Sequence, residues 1–181
     1  MKKDLRHQCK KIRDNFKKEY IDFANDIIFQ KIIAMPEFKN AKTVMTYVSV
    51  GSEVDTRRLM EYCLDYGKKL LVPVTLKGTH IMEASFVDSL SDLKNGAFDI
   101  PEPQEWNICP KSDIDLCIVP ALAFDKNKFR LGYGGGFYDR FLSDFNSTSV
   151  GLEFSELIID NVCAEPYDIP VDIIVTEKED I

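Results

Sequence analysis

The chain has 181 residues, is 45% apolar and 29% charged, and carries a net charge of −7. That composition excludes a disordered, collagen-like or coiled-coil chain and fits one globular domain. No stretch of 18 uncharged apolar residues exists, which argues against a membrane span, and the first 15 residues are charged rather than apolar, unlike a secretory signal.

The charge is uneven. Residues 1–18 hold eight Lys/Arg against two acids, and the rest of the chain holds 15 against 28. An acidic body argues against general nucleic-acid binding. The basic opening is either a solvated helix face or a surface that meets an anion. The five cysteines are scattered, form no CxxC pair and are accompanied by only two histidines. Reduced thiols in a cytosol are the simplest account, a zinc site is not expected, and Cys63 and Cys117 are expected in the core.

Leu5, Cys9, Ile12, Phe16, Tyr20, Phe23 and Ile27 recur at helical spacing. They predict one apolar stripe on an N-terminal helix, with a possible break near Glu19 and a stop at Pro36. Residues 43–50 (TVMTYVSV) read as a buried strand. Ser52 and Asp55 offer caps for a helix over 54–66 that Gly67 ends. Strands follow at 69–76 and 79–87, joined by a turn at Lys77 and Gly78. Residues 95–113, with Gly96, Pro101, Pro103 and Pro110, predict an extended loop. Strands at 116–119, 149–154 and 171–176 and a helix over 136–146 complete the reading. Continuous apolar strands alternating with helices predict a mostly parallel sheet covered on both faces. Ligands then bind beyond the carboxyl ends of the strands, here the loops after Val50, Val119 and Thr176.

One segment stands apart: RLGYGGGFYDR, residues 130–140. Four of the nine glycines lie within 132–136. Without Cβ atoms, such a run lets backbone N–H groups approach an anion closely. It lies between a predicted strand and a predicted helix, whose N-terminus would add positive potential. Arg130 and Arg140 flank it and suit phosphate oxygens. Asp139 could hold Mg²⁺ beside them. The segment fits neither the ordinary P-loop nor the dinucleotide fingerprint.

Three other places carry weaker signals. In SVGSEVDT (49–56), Glu53 is either a helix cap or a group that binds the amine or amide edge of a ligand. In PYDIPVD (166–172), Asp172 opens an apolar strand and is either paired or a metal ligand. Trp106, Phe98 and Met82 either line an apolar pocket or pack in the core.

Taken together, FDKNKFRLGYGGGFYDRFL (124–142), YVSVGSEVDT (47–56), FDIPEP (98–103) and DIPVDIIVTE (168–177) closely resemble the 5-formyltetrahydrofolate cyclo-ligase family, also called 5,10-methenyltetrahydrofolate synthetase. The motifs appear in family order over nearly the whole chain. The resemblance implies a single three-layer α/β/α domain over 1–181, Rossmann-like, with a mostly parallel sheet. It implies an ATP- and Mg²⁺-dependent enzyme that cyclises 5-formyltetrahydrofolate to 5,10-methenyltetrahydrofolate, releasing ADP and phosphate. The N5-formyl oxygen would be phosphorylated and N10 would then attack the activated carbon. A cytoplasmic monomer is expected, with these two small molecules as partners and neither nucleic acid nor membrane.

The resemblance also implies roles. Lys2, Lys3 and Arg6 would reach the nucleotide, joined by Arg130, Leu131, Gly132, Tyr133, Gly134, Gly135, Gly136, Phe137 and Tyr138. Arg130, Tyr138 and Arg140 would be catalytic, and Asp139 and Asp172 would bind Mg²⁺. Val48, Glu53, Met82 and Phe98 would contact the folate, which Tyr133, Gly134, Gly135, Gly136 and Phe137 would also border. Some members carry a basic residue where this chain has Tyr133 or Gly135, many have His where it has Tyr167, and some have Gly at Ala121. Phosphate neutralisation here would then rest more on Arg130, Arg140, the N-terminal basics and Mg²⁺. The competing readings are an enzyme with the same ATP site acting on another formyl or carboxylate substrate, and a nucleotide- or sugar-phosphate-sensing module on the same fold.

Overall fold

The structure, a computed structural model, describes residues 1–76, 78–96 and 100–181. Seven strands form the central sheet: β1 (Thr43–Thr46), β2 (Lys69–Thr75), β3 (Met82–Val87), β6 (Ile108–Cys109), β7 (Leu116–Val119), β10 (Thr148–Leu152) and β12 (Ile173–Val175). Their order is β12-β10-β7-β1-β2-β3-β6. The five strands from β12 to β2 are parallel, whereas β3 pairs antiparallel with β2 and with β6. β4 (Leu93–Asn95) and β5 (Pro101–Pro103) form a small hairpin, and β8 (Ala123–Asp125), β9 (Arg130–Leu131) and β11 (Ile158–Ile159) form a three-stranded sheet.

Both faces of the parallel strands are buried, as their unbroken apolar runs require. On one face Val44, Leu70, Leu116, Ile118 and Val150 pack against α2 (Lys18–Ala34), α3 (Pro36–Asn40) and α4 (Arg57–Asp65). On the other, Met45, Leu71, Cys117, Val119 and Ile174 pack against α5 (Phe137–Leu142) and Phe124 of the small sheet. The first helix, α1 (Lys2–Asp14), sets Cys9 against Leu122, Ala123, Leu131, Leu157 and Val162. This is the expected α/β arrangement with a mostly parallel sheet.

Several elements differ from the sequence reading. The N-terminal stripe does break, a little ahead of Glu19 where the sequence allowed for it: α1 ends at Asp14, and Lys17 is extended (φ −69°, ψ 145°) before α2 begins. That break resets the helical phase, so Ile12 and Phe23 are exposed while α2 buries Ala24, Ile28, Phe29 and Ile32. Pro36 does more than stop a helix, for it opens α3 at a first-turn position where its missing N–H costs nothing. The strand expected over 43–50 ends at Thr46, because Ser49 and Thr56 exchange side-chain and backbone hydrogen bonds that draw the chain into a turn. α4 starts at Arg57 rather than 54, and α5 spans six residues rather than eleven. The stretch 95–113, read as an extended loop, contributes to β4, β5 and β6. β8, β9 and β11 escaped the reading because two or three residues carry no periodicity.

Candidate active site

The chain leaves β1 on one side of the sheet and returns through β7 on the other, so a crevice opens where their following loops part. A cavity of about 560 Å³ lies there. Tyr47, Val48, Val50 and Glu53 line it from the loop after β1, Pro73 and Thr75 from the end of β2, and Pro120 from the residue after β7. The loop after Thr176, also expected at the site, does not line it.

The glycine segment forms one wall. Residues 130–139 all border the cavity, between β9 and α5. Arg130 is 7% exposed, and its Nη2 donates to Oδ2 of Asp139 at 2.7 Å. The loop turns on Gly134 and Gly136, whose φ values are 102° and 64°, a region that side chains with a Cβ rarely adopt. Arg6 of α1 donates from Nε to the Gly132 carbonyl at 2.7 Å, and its guanidinium lies over Gly134. Among the described residues, two buried polar atoms find no partner: Nε of Arg130 and the Tyr138 hydroxyl. Both lie on residues that wall the cavity. Burial holds the Tyr138 phenol well above its ordinary pKa, so it stays a neutral donor.

A basic and acidic rim closes the cavity where α1 meets the segment 165–168. Lys2 donates to Asp168 at 2.5 Å and pairs with Glu165 at 3.0 Å. Burial works against the Lys2 charge, but the two carboxylates outweigh it and raise its pKa.

The opposite side is built on a chain of polar groups. Glu53 is 9% exposed; its Oε2 accepts from the Val50 N–H at 2.8 Å, and its Oε1 accepts from the Tyr133 hydroxyl. The Tyr133 oxygen in turn accepts from Nη2 of Arg13 at 2.8 Å. Arg13 is 4% exposed and also donates to the Ala121 carbonyl at 2.8 Å and to Glu153 at 3.4 Å. Burial pushes the Glu153 carboxyl up to about 8, against the pull of Arg13. Burial works against the Arg13 charge as well, but Glu153, Tyr133 and Glu53 outweigh it. Burial and the facing Glu53 push the Tyr133 phenol upward.

Of the residues singled out in the sequence, the structure gathers Lys2, Arg6, Val48, Glu53, Met82, Arg130, Leu131, Gly132, Tyr133, Gly134, Gly135, Gly136, Phe137, Tyr138 and Asp139 around this one cavity. Others stand elsewhere. Lys3 is exposed and does not line the cavity; one step along α1 turns its side chain away from that of Lys2. Arg140 does not line the cavity; it donates to the Gly135 and His80 carbonyls and so braces the loop from outside. Asp172 does not line it either. Its Oδ2 accepts from the N–H and hydroxyl of Ser149 at 2.7 and 2.8 Å, tying the approach to β12 to β10. Trp106 is 42% exposed and lies outside the cavity. Phe98 falls outside the described residues. Sequence reasoning missed Arg13 and Glu153. The signal for Arg13 was faint: it lies four residues after Cys9, on the buried side of α1.

All five cysteines are free, with Cys63 and Cys117 fully buried as expected. No group of three or more His, Cys, Asp or Glu side chains arranged to hold a metal occurs among the described residues. No described helix is long and apolar enough to cross a membrane.

A mostly parallel α/β sheet, a glycine wall braced by arginines and a carboxylate facing it across a cavity are the features of an enzyme's ligand site. The 5-formyltetrahydrofolate cyclo-ligase family model matches residues 1–177. The chain belongs to that family and is an enzyme of its kind. It is 32% identical over 178 residues to the 5-formyltetrahydrofolate cyclo-ligase of Haemophilus influenzae, covering 94% of each chain. It is 28% identical over 195 residues to a probable 5-formyltetrahydrofolate cyclo-ligase of Caenorhabditis elegans, covering 100% of this chain and 95% of that one. Among solved structures, the 5,10-methenyltetrahydrofolate synthetase of Aquifex aeolicus superposes with a TM-score of 0.87 at 33% identity, covering 99% of this chain and 91% of that one.

Proposed function

We propose that the cavity binds ATP against the glycine wall and 5-formyltetrahydrofolate against Glu53, and that it transfers the γ-phosphoryl group between them. The observation that carries this reading is the placing of the 130–139 segment, Arg6 and Glu53 on one cavity. Phosphoryl transfer asks the protein for positioning and charge neutralisation rather than for a covalent nucleophile. The residues present meet that demand.

The glycine loop and Arg6 cradle the phosphates, and Lys2 adds charge at the rim. The orphaned Nε of Arg130 and hydroxyl of Tyr138 are donors whose partners would be phosphate oxygens or water. Glu53 keeps lone pairs free to accept from the amine and amide N–H groups of a pterin edge. The γ-phosphoryl group moves to the formyl oxygen and leaves ADP. N10 attacks the formyl carbon and loses its proton, the carbon–oxygen bond breaks, and phosphate departs with the oxygen as the ring closes.

Mg²⁺ keeps several waters and needs only one or two carboxylates besides substrate phosphates. Asp139, beside the glycine loop, fits that demand as the protein's contribution, whereas Asp172 is spent on Ser149 and stands outside the cavity. When bound, the ion neutralises charge on the phosphates.

The test is to mix the protein with MgATP and 5-formyltetrahydrofolate and follow the near-UV band of the conjugated methenyl product. ATP-dependent growth of the band supports the reading. A flat trace with ATP still bound by calorimetry points to a different substrate, and a flat trace without ATP binding overturns the nucleotide site itself.

A further inference from the structure

Arg13 has no place in the reaction just described, yet it is the most connected charged side chain of α1. Its guanidinium reaches Ser52 after β1 (3.3 Å), the Ala121 carbonyl beyond β7 (2.8 Å), Glu153 at the end of β10 (3.4 Å) and the Tyr133 hydroxyl of the glycine segment (2.8 Å). It therefore ties together loops from three neighbouring strands. Taking so many donors out of water is costly unless each is satisfied. Here the partners are in place without any ligand.

Tyr133 is the one partner that faces the cavity. Its ring is open to the cavity, the residue being 54% exposed, while its hydroxyl is sunk between Arg13 and Glu53. A hydroxyl that accepts from a guanidinium becomes a better donor through its own hydrogen. That hydrogen goes to Oε1 of Glu53, and the Val50 N–H holds Oε2. Two of the roughly four acceptor positions of the carboxylate are thus used to fix its plane, and the others remain for a ligand.

We propose that the Tyr133 hydroxyl, itself oriented by Arg13, is the positioning group that fixes Glu53 for a bidentate contact with the amine and amide N–H donors of the folate. Tyr133 thereby serves the folate half of the cavity rather than the phosphates. The inference rests on the functional reading above, in which Glu53 is the folate-binding carboxylate. It follows that loss of one hydroxyl oxygen from the glycine wall weakens folate binding and leaves nucleotide binding intact.

The experiment measures the dissociation constants of 5-formyltetrahydrofolate and of ATP by calorimetry. It uses the wild-type protein, Tyr133→Phe, Glu53→Ala and the double variant. Tyr133→Phe is expected to bind the folate about tenfold more weakly, the loss of one hydrogen bond to a charged group, with ATP affinity unchanged. In the Glu53→Ala background the same change is expected to add nothing, since the hydroxyl acts through that carboxylate. Arg13→Lys is expected to reproduce part of the folate loss, because an ammonium cannot span the same partners. If that variant fails to fold, the Tyr133 and Glu53 cycle still decides. Unchanged folate affinity in Tyr133→Phe, additive losses in the double variant, or equal losses of folate and ATP would each overturn the proposal. A wild-type protein that binds no folate would overturn the functional reading and this inference together.

Discussion

Arg130 and Asp139 meet at 2.7 Å across the base of the glycine segment, their side chains 5% and 17% exposed. The pair closes the loop on itself before any ligand arrives. Asp139 therefore has two duties in the proposed reaction: it holds a buried guanidinium and it faces the phosphates with its remaining lone pairs.

Asp139→Asn separates these duties. Asn keeps the shape but leaves Arg130 with a neutral partner, so stability should fall by about 1–3 kcal/mol, the cost of disturbing a largely buried charged contact. For a chain of this size, each kcal/mol corresponds to about 2–4 °C in melting temperature. Turnover should fall much further, by about a hundredfold or more, if the carboxylate also serves the metal and phosphates. Melting curves and initial rates on the same preparation check this. Matched small losses in both would confine Asp139 to bracing Arg130.

Arg6 braces the same loop from outside the sheet. Its Nε holds the Gly132 carbonyl and its guanidinium lies over Gly134. Arg6→Ala should raise the apparent KM for ATP roughly tenfold, for loss of one charge-assisted contact of about 1.5 kcal/mol, while the folate KM stays within twofold of wild type. Steady-state kinetics with each substrate varied in turn gives the answer. An unchanged nucleotide KM would return Arg6 to a purely structural part.

Glu153 gives a pH signature. Burial lifts its folded-state pKa to about 8 from an ordinary value of 4.5. The folded protein then holds a proton that the unfolded chain has released, so the stability this group contributes is complete below pH 4.5 and is lost as pH rises toward 8. Denaturant unfolding at pH 5, 6.5 and 8 should show wild-type stability falling relative to Glu153→Gln by at least about 1.4 kcal/mol, one pKa unit's worth. A flat difference across that range instead would mean that the Arg13 pairing keeps the carboxylate charged throughout.

Gly151 tests the packing that carries the site. It lies in β10, and a Cβ built there would overlap the fully buried Phe124 ring. The ring is fully buried and β10 is paired on both sides, so Gly151→Ala should cost about 1–3 kcal/mol, as overpacking does. Adding Phe124→Leu should recover part of that loss in the double variant, which a chemical denaturation series can measure.

The glycine segment was legible because its composition is local: four glycines, two arginines and an aspartate need no partner to be noticed. The mostly parallel character of the sheet was legible for a related reason, since buried parallel strands write unbroken apolar runs, but the order of the strands was not. Arg13 and Glu153 were not legible. Arg13 lies among seven other basic residues near the N-terminus, and nothing in a single sequence says which of them turns inward. Glu153 reads as the polar end of a strand until Arg13 is placed beside it. The N-terminal stripe misled for a different reason. Its spacing continues across residues 15–17, but the backbone does not, and the pattern of side chains allows for a break near Glu19 without showing that one extended residue resets the helical phase there.

The two ends of the cavity wall are distant in sequence. Arg6 meets Gly132, Arg13 meets Glu153, and Lys2 meets Asp168, across 126, 140 and 166 positions. Closing such loops is entropically late, because distant contacts form only after the elements between them have gathered. On a ribosome, α1 leaves the tunnel well before these residues that it docks against, which follow it by 126 to 166 positions, and must wait for them. Until Asp168 has emerged, the nascent protein carries a basic amphipathic helix with no seat and a cavity with one side missing. The site proposed here for the nucleotide is therefore completed late, and α1, made before every element it docks against, is among the last pieces of it to be set.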